Sequence, residues 1–259
     1  MKLNRTSAGP ESGLPILLVH GLFGQARNLG AQARRLAETR PVVSVDLRNH
    51  GESPHDPDAG YAALAADLAE VIEDLGGRAD VAGHSMGGKA AMVLALTRPQ
   101  LVRRLAIMDI APVAYAHDQT PHIDAMEALE LGGLDRRAEA DRGLAAGVPD
   151  RGTRAFLLQS LDLKSDPPAW RLNLPALRTH MPAIVGWPEG LPEANFGGPV
   201  LAMRGARSDY VTAEGEAALR RHFPQMRLVT LKNAGHWLHA DAPEAVADTL
   251  AAFFGDGRG

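Results

Sequence analysis

Residues 79–92 read ADVAGHSMGGKAAM, and this stretch decides the fold. Its apolar start is cut short at Gly83, and a helix-forming run begins directly after Ser85. The pattern is Gly-x-Ser-x-Gly between a strand and a helix, where the glycines allow a turn so tight that the serine backbone is strained. We therefore expect Ser85 to stand at this corner with its hydroxyl exposed above a sheet. The next amide, that of Met86, lies at a helix N-terminus, where unpaired donors and the helix dipole favour negative charge.

The composition is that of an ordinary globular chain and argues against several classes of protein. Of the 259 residues, 45% are apolar and 22% are charged, and the formal net charge is −4. Charges of both signs are interspersed, so no basic stripe suggests a nucleic-acid partner. Because the chain has no cysteine, it has no disulfide, thiolate zinc site or cysteine nucleophile. The first apolar run, Ile16–Val19, is too short for a signal sequence or a membrane span, so we expect a cytoplasmic protein.

Short apolar runs that suit β-strands alternate with segments of helical periodicity. The runs are Ile16–Val19, Val42–Val45, Ala79–Ala82, Leu105–Met108, Val200–Met203 and Leu228–Leu231. The helical segments are Tyr61–Leu75, Met86–Leu96, Thr212–His222 and Pro243–Phe254. This alternation predicts an α/β fold with a mostly parallel sheet of about six to seven strands and helices on both faces. One short extra strand, around Lys2–Arg5, fits before the first run.

The alternation breaks down in the middle of the chain. Residues 112–198 show helical patches and clusters of proline but no clear strand. A structureless stretch of that length is uncommon inside a compact domain. We therefore predict a core domain made of residues 1–111 and 199–259, with residues 112–198 forming a helical cap insertion over the sheet.

A serine hydroxyl needs a base to accept its proton before it can act as a nucleophile. Of the ten histidines, His236 in LKNAGHWLHAD has the best position, directly after the last apolar run and before the final helix. The carboxyl ends of parallel strands meet at one edge of a sheet, so Ser85 and His236 can meet there. With no cysteine and no H-E-x-x-H pattern, the sequence predicts no metal site.

The histidine in turn needs a carboxylate that fixes its tautomer and stabilises the imidazolium. Asp109 ends the strand LAIMD, which follows the strand that carries Ser85, and Asp209 follows the strand in LAMRGARSDYV. Both aspartates fall at the expected edge of the sheet, and both keep the chain order Ser, Asp, His. Position alone leaves them as alternatives.

A second amide donor beside the serine should come from a glycine-containing turn after an early strand. The stretch LLVHGLFG, residues 17–24, supplies such a turn. The dipeptide His20-Gly21 turns the chain so that the Leu22 amide can face the serine. We therefore predict that the amides of Leu22 and Met86 form an oxyanion hole.

Five motifs together carry a resemblance to a known family: HGLFG at 20–24, DLRNHGESP at 46–54, GHSMGGKAAM at 83–92, MDIAPV at 108–113 and NAGHWLHAD at 233–241. The chain resembles the α/β-hydrolase superfamily, and more narrowly the cofactor-independent esterases related to the bacterial esterase YbfF and the ABHD11 hydrolases. The similarity extends from Ile16 to Phe254. It implies an α/β-hydrolase fold, no cofactor, and a site made of Ser85, His236, an aspartate and two backbone amides.

The resemblance also bears on the choice of acid. Across the superfamily, the acid usually follows the strand that here ends near Met203, which favours Asp209. In the narrower group, the aspartate of a DIAP-type motif recurs, which favours Asp109. This sequence carries both, and we take Asp109 as the preferred acid and Asp209 as the alternative.

These inferences predict a serine carboxylesterase that hydrolyses short- to medium-chain acyl esters through an acyl-enzyme. Its partner is a small-molecule ester, with no nucleic acid and no membrane span, and its oligomeric state is left open. The alternatives are an acyl thioesterase or a carbon–carbon bond hydrolase on the same site, or a ligand-binding receptor with low turnover. The predicted substrate contacts are apolar residues near the oxyanion turn, in the insertion and beside the histidine: Phe23, Met126, Phe156, Ile184, Trp187 and Trp237.

Overall fold

The computed structural model describes residues 1–191 and 195–255. The strands are β1 (Arg5–Ala8), β2 (Ile16–Val19), β3 (Val42–Val45), β4 (Ala79–His84), β5 (Val102–Met108), β6 (Leu161–Asp162), β7 (Ala169–Trp170), β8 (Val200–Gly205) and β9 (Met226–Leu231). In the described residues, seven of them form one sheet in the order β1-β3-β2-β4-β5-β8-β9. The strand β1 is antiparallel to β3, and the other neighbouring pairs are parallel. The predicted α/β fold with a mostly parallel sheet of six to seven strands is confirmed.

The helices are α1 (Gly30–Leu36), α2 (Tyr61–Asp74), α3 (Met86–Thr97), α4 (Thr120–Glu127), α5 (Arg137–Leu144), α6 (Arg151–Leu157), α7 (Leu174–Val185), α8 (Ala213–His222), α9 (Leu238–Asp241) and α10 (Pro243–Phe254). The four helices predicted from periodicity are found with their ends displaced by at most one residue. Helix α8 begins one residue later than predicted because Thr212 is its N-cap, with a side chain that accepts from the Gly215 amide. Within the part of the chain described here, no helix is long and apolar enough to cross a membrane.

The side chains of β2 explain why its sequence is continuously apolar. Leu17 and Val19 join the buried cluster that includes residues of α2 and α3. Ile16 and Leu18 point to the opposite side and join the cluster that includes residues of α1 and α10. Successive side chains of a strand face opposite sides of the sheet. Because both faces are covered here, every side chain of the strand is buried and apolar residues are favoured at every position.

The extra N-terminal strand lies further along the chain than predicted. It was expected around Lys2–Arg5, whereas β1 pairs with β3 only from Arg5 onward, opposite Val45. The preceding Asn4 makes only half of the next pair, because its carbonyl accepts from the Asp46 amide at 3.0 Å while its own amide donates to Ser53 Oγ at 2.9 Å. Its side chain donates to Asp46 Oδ2 at 2.9 Å. The regular ladder therefore begins at Arg5.

The segment predicted as a helical insertion, residues 112–198, contains α4 to α7 and also a small hairpin. The strands β6 and β7 pair antiparallel, with Leu161 opposite Trp170. The sequence shows no clear strand here, because a pair of two-residue strands is too short to produce an alternating pattern. The division of the chain into core and cap remains a prediction, and residues 192–194 and 256–259 of the two predicted parts lie outside the described residues.

The register of the parallel strands brings three chain segments to one edge of the sheet. His84 at the end of β4 lies opposite Met108 at the end of β5, and Met108 lies opposite Met203 in β8. Just beyond these pairs, the Ser85 amide donates to the Met108 carbonyl at 3.0 Å, and the Asp109 amide donates to the Met203 carbonyl at 2.8 Å. Ser85 and Asp109 are thus held in adjacent positions by backbone hydrogen bonds.

Candidate active site

Ser85 occupies the corner between β4 and α3 in a strained backbone conformation, with φ 51° and ψ −122°. The flanking residues must be glycines, because a side chain at either position would clash with the neighbouring backbone. A Cβ atom on Gly83 would lie 2.4 Å from the Gly87 carbonyl oxygen, and one on Gly87 would lie 2.2 Å from the His20 carbonyl oxygen. A positive φ is uncommon for a residue with a side chain, and it is found where the surrounding structure enforces it. The tight corner predicted from the motif is present, and Ser85 lines a cavity at this edge of the sheet.

The hydroxyl of Ser85, the imidazole of His236 and the carboxylate of Asp109 form one line of contacts. His236 Nε2 lies 3.0 Å from Ser85 Oγ, and His236 Nδ1 lies 2.8 Å from Asp109 Oδ2. Asp109 directly follows β5, and His236 lies in the loop between β9 and α9. When Nδ1 donates its proton to the carboxylate, Nε2 is the basic nitrogen and can accept the serine proton. These contacts between residues far apart in sequence have the geometry that nucleophilic catalysis by a serine requires.

The two candidate acids have different surroundings. The Asp109 side chain is fully buried, and its Oδ1 accepts from the Gly205 amide at 2.9 Å. Its Oδ2 accepts from the Ser208 hydroxyl as well as from His236. Asp209 is exposed, and within the described residues it makes no hydrogen bond or ion pair. The structure therefore brings Asp109 to His236 and leaves Asp209 in solvent.

The ring of Tyr210 covers one face of the His236 imidazole. Their centroids are 3.6 Å apart, and their planes are inclined by 14°. Tyr115 supports this loop, because its hydroxyl donates to the Tyr210 carbonyl at 2.9 Å and accepts from the Ala111 amide at 2.8 Å. The histidine is therefore held by a stacked ring in addition to its hydrogen bonds.

The predicted oxyanion turn packs directly against the serine. A Cβ on Gly21 would lie 3.1 Å from Ser85 Cβ. In the same turn, the Gly24 amide donates to the Gly21 carbonyl at 3.0 Å, and the Phe23 amide donates to His50 Nε2 at 3.1 Å. The amide of Leu22 has no hydrogen-bond acceptor within residues 1–191 and 195–255, and neither has the amide of Met86, the first residue of α3. Both residues line the cavity beside Ser85, so both amides are available to a ligand there.

Two buried histidines fix the base of this turn. The Leu47 amide donates to His20 Nε2 at 3.0 Å, so His20 carries its proton on Nδ1 and donates it to the Gly21 carbonyl at 2.8 Å. His50 Nδ1 likewise donates to the Arg48 carbonyl at 2.9 Å. Burial lowers the pKa of both rings, that of His50 to about 3. Both rings therefore stay neutral, and each can donate on one side and accept on the other.

A second pair of histidines lies behind His236. His84 Nε2 donates to the His236 carbonyl at 2.8 Å, and the rings of His84 and His239 lie 4.5 Å apart. Burial lowers the pKa of His84, and it lowers the pKa of His239 to about 4. The neutral His84 ring therefore anchors the backbone of the loop that carries His236.

The comparison with protein families agrees with this geometry. The sequence model of the Alpha/beta hydrolase family matches residues 16–249. The chain belongs to this family. The family match covers the serine corner, both aspartates and His236, and the predicted resemblance to α/β hydrolases is confirmed.

Three relatives resemble this α/β hydrolase over most of its length. The sn-1-specific diacylglycerol lipase ABHD11 of Mus musculus is 40% identical over 92% of this chain and 80% of its own length. Esterase YbfF of Escherichia coli (strain K12) is 37% identical over 99% of this chain and 100% of its own. Among solved structures, a marine microorganism esterase has a TM-score of 0.92 and 32% identity, covering 97% of this chain and 99% of that chain. The narrower resemblance to YbfF and the ABHD11 hydrolases is confirmed as well.

A cavity of about 400 Å³ lies beside Ser85 in this α/β hydrolase. Of the predicted substrate contacts, Phe23, Phe156, Ile184 and Trp237 line it. The rings of Phe156 on α6 and Trp237 after the histidine are 5.3 Å apart, which joins the predicted insertion to the loop after β9. The wall of the cavity is predominantly apolar.

Two predicted contacts do not reach the cavity. In the described part of the structure, Met126 and Trp187 are not among the lining residues. Met126 is only 1% exposed and packs in the core, while its carbonyl accepts from the Trp170 indole at 2.9 Å. Trp187 follows α7 and faces His222, with ring centroids 6.1 Å apart. For these two residues the prediction was wrong, because apolar character alone does not tell which way a side chain points.

Several residues at the site were missed by the sequence analysis. They are the groups that contact His236 or Asp109 or line the cavity without matching a catalytic pattern: Ser208, Tyr210, Tyr115 and Lys89. The available signal was position. Ser208 and Tyr210 flank Asp209 in the loop after β8, where residues at the carboxyl end of a strand reach the active edge. Within the residues that the structure describes, no group of three or more His, Cys, Asp or Glu side chains is arranged to hold a metal ion.

Proposed function

We propose that this α/β hydrolase is a carboxylic ester hydrolase that cleaves short- to medium-chain acyl esters through an acyl-enzyme on Ser85. The observation that carries the proposal is the line of contacts from Ser85 Oγ to His236 Nε2 and from His236 Nδ1 to Asp109. Relatives named as an esterase and a diacylglycerol lipase, similar over most of this chain, support ester chemistry.

The first half of the reaction forms the acyl-enzyme. Ser85 Oγ attacks the ester carbonyl carbon while His236 Nε2 takes the hydroxyl proton. The carbonyl oxygen becomes an oxyanion, and the Leu22 and Met86 amides donate to it. His236 then gives its proton to the leaving alcohol as the carbon–oxygen bond breaks. The acyl group stays on Ser85, and His236 is again neutral.

The second half returns the serine. His236 removes a proton from a water molecule, and the resulting hydroxide attacks the acyl carbon. The same two amides stabilise the second oxyanion. The bond to Ser85 Oγ then breaks, Ser85 recovers its proton from His236, and a carboxylic acid leaves. Each donor of this kind is typically worth about 3 kcal/mol of barrier.

In this proposal Asp109 is the acid of the triad. Its carboxylate holds the Nδ1 proton of His236 and stabilises the imidazolium that forms in each half-reaction. Burial excludes water from this contact, and the bonds from Gly205 and Ser208 keep the carboxylate in place. Asp209 is exposed and makes no hydrogen bond to His236 among the described residues, so it is not assigned this role.

The cavity supports a substrate with an apolar acyl group. Its volume of about 400 Å³ falls within the roughly 300–1,000 Å³ that small-molecule sites span. We propose that residues 112–198 act as a cap that supplies Phe156 and Ile184 to this wall. A cytoplasmic location remains part of the proposal.

The test is a substrate series measured with wild type and Ser85→Ala. We expect p-nitrophenyl esters from acetate to dodecanoate to be hydrolysed, with an optimum at short to medium chain length, and Ser85→Ala to be inactive. Acyl-CoA thioesters of the same chain lengths are measured in parallel. Faster turnover of the thioesters would replace the proposed ester chemistry by thioester hydrolysis, and no turnover of either series would favour a binding protein.

A further inference from the structure

Lys89 is a buried cation that the ester hydrolysis scheme does not use. It lies one helical turn after Ser85 on α3, and its amide donates to the Ser85 carbonyl at 3.0 Å. The residue lines the cavity although only 1% of its surface is exposed. Burial lowers the pKa of Lys89 to about 7. A buried ammonium is unfavourable unless its protons are hydrogen-bonded to acceptors. The acceptors of Lys89 therefore indicate its role.

All three protons of the ammonium have backbone acceptors. Nζ lies 2.9 Å from the Val113 carbonyl and 3.0 Å from the Val185 carbonyl, and it also donates to the Gly186 carbonyl. An ammonium offers three donors and no acceptor, so these bonds use its full capacity. No carboxylate in the described part of the chain pairs with it. Lys89 therefore has no proton left for a substrate, which argues for a structural task.

The three carbonyls lie at the two ends of the segment 113–186, which includes α4 to α7 and makes up most of the predicted insertion. Val113 follows β5 at the start of the predicted insertion, whereas Val185 ends α7 and Gly186 is the C-cap of that helix. The last carbonyls of a helix lack intrahelical partners and carry partial negative charge, which a lysine satisfies. Through one ammonium, the start of the insertion and its last described helix before β8 are both fastened to the helix that begins beside Ser85.

The same contact holds residues of the cavity wall. The Tyr115 amide donates to the Val185 carbonyl at 3.0 Å, and Nζ lies 4.6 Å from the centre of the Tyr115 ring. Ile184, directly before Val185, lines the cavity, and its carbonyl accepts from the Tyr61 hydroxyl at 2.6 Å. Tyr61 and Tyr115 line the cavity too. A shift of either end of the insertion would therefore move this side of the acyl pocket.

We propose that Lys89 is a positioning residue that fastens both ends of the segment 113–186 to α3 and thereby sets the acyl selectivity of the cavity. The inference rests on the proposed function for its selectivity part, while the fastening itself does not depend on ester hydrolysis. The ammonium acts through the carbonyls of Val113, Val185 and Gly186 on the wall formed by Tyr115 and Ile184. It does not contact the reacting atoms.

The first test is Lys89→Met, which keeps the length of the side chain and removes its three donors. We expect the ratio of kcat/KM for a decanoyl ester to that for an acetyl ester to change at least about tenfold, mainly through KM, since displacements of about 1 Å have effects of that size or larger. The control is Lys164→Met, which alters an exposed lysine of the same segment. An unchanged ratio in Lys89→Met would overturn the selectivity part of the proposal.

The second test uses hydrogen exchange, and so needs no substrate, to measure whether Lys89 fastens the two ends of the segment. Hydrogen exchange should become faster in Lys89→Met at both ends of the segment, at residues 113–116 and 184–187, and stay as in wild type in Lys164→Met. Faster exchange at one end only, or at neither, would overturn the proposal. If wild type hydrolyses no ester, the proposed function fails, and this measurement still decides whether Lys89 fastens the two ends.

A third measurement applies if Lys89→Met does not fold. This measurement is native-state hydrogen exchange of the wild-type protein. Amides that become exposed in the same local unfolding event have the same opening free energy. The amides of Tyr115 and Gly186 should then show the same opening free energy and the same response to low concentrations of urea. Independent opening of the two amides would overturn the proposal.

Discussion

The imidazole of His236 lies face to face with the ring of Tyr210, with centroids 3.6 Å apart and planes inclined by 14°. The hydrogen bonds to Asp109 and Ser85 fix the two nitrogens of His236 along one line. They do not by themselves prevent the ring from rotating about that line. The stacked tyrosine supplies the missing restraint, and its electron-rich face favours the imidazolium that forms during turnover.

The stack predicts different effects for two substitutions of Tyr210. Tyr210→Leu removes the aromatic face, and we expect kcat to fall by up to about tenfold, since such ring pairs contribute about 0.5–1.5 kcal/mol. Tyr210→Phe keeps the ring, and its kcat should stay within about twofold of wild type. Both variants are assayed on the same ester, with thermal unfolding to show that the fold is retained. Equal activity of the two variants would show that stacking does not matter.

The environments of the two aspartates predict a large difference between their asparagine variants. Asp109→Asn replaces the carboxylate that accepts from His236 Nδ1, and kcat should fall about 10³- to 10⁴-fold. Asp209→Asn changes an exposed side chain and should alter kcat less than about threefold. Steady-state kinetics of the two purified variants measure both effects. The opposite ranking would assign the triad acid to Asp209.

The crowding at the serine corner predicts that its glycines are needed for folding. A methyl group on Gly87 would lie 2.2 Å from the His20 carbonyl oxygen, whereas one on Gly132 would meet no atom within 4 Å. We expect Gly87→Ala to lower the free energy of unfolding by more than about 2 kcal/mol, and Gly132→Ala to change it by less than about 0.5 kcal/mol. Urea denaturation compares the two. Similar values would mean that the corner is not as tight as described.

The buried neutral histidines predict loss of stability in mild acid. Burial lowers the pKa of His50 to about 3 and that of His239 to about 4, and it also lowers those of His20 and His84. Below the unfolded value near 6.5, the unfolded chain binds protons that the folded chain cannot. The free energy of unfolding should therefore be highest above about pH 6.5 and fall between there and pH 4, by up to about 1.4 kcal/mol per pH unit for each histidine.

Urea denaturation at pH 7.5, 7, 6 and 5 measures this slope. In His239→Gln, the loss of free energy between pH 6 and pH 5 should be smaller than in wild type by about 1 kcal/mol, because one buried histidine is gone. Between pH 7.5 and pH 7, the two proteins should show no difference in slope from this group. An identical acid slope in both would contradict the role assigned to the burial of His239.

The fold could be predicted because its strongest signals are local. The buried strands of the sheet contain short, mostly apolar runs, and Ser85 lies between two glycines that its corner requires. The position of β1 was not predictable in the same way. Its start depends on hydrogen bonds from Asn4 to Ser53 and Asp46, which are remote in sequence.

Only part of the site could be predicted, because some of its residues are marked by local sequence motifs and others are not. Ser85 and His236 follow from motif and strand order, but the choice between Asp109 and Asp209 depends on where each side chain points. Asp109 has φ 52°, a conformation that the sequence does not reveal and that directs the chain at the end of β5. The contact of Tyr210 with His236 also joins two loops and leaves no periodic pattern. Contacts between two loops can be recognised only once the three-dimensional structure places the loops next to each other.

The predicted cap contacts show the same limit of pattern reasoning. Phe156 and Met126 are both apolar residues on helices of the predicted insertion, yet only Phe156 reaches the cavity. Met126 is buried in the hydrophobic core, whereas Phe156 is half-buried and contacts the Trp237 ring. Composition identified the kind of residue that lines the cavity without identifying which members do.

The central claim is that Ser85 is a nucleophile activated by His236, and the site of covalent labelling by a fluorophosphonate tests it most directly. Peptide mapping by mass spectrometry, after reaction of the folded protein, should find one adduct per chain, located on Ser85, and none in Ser85→Ala. A wild-type protein that stays unlabelled, or an adduct on a different residue, would contradict the account.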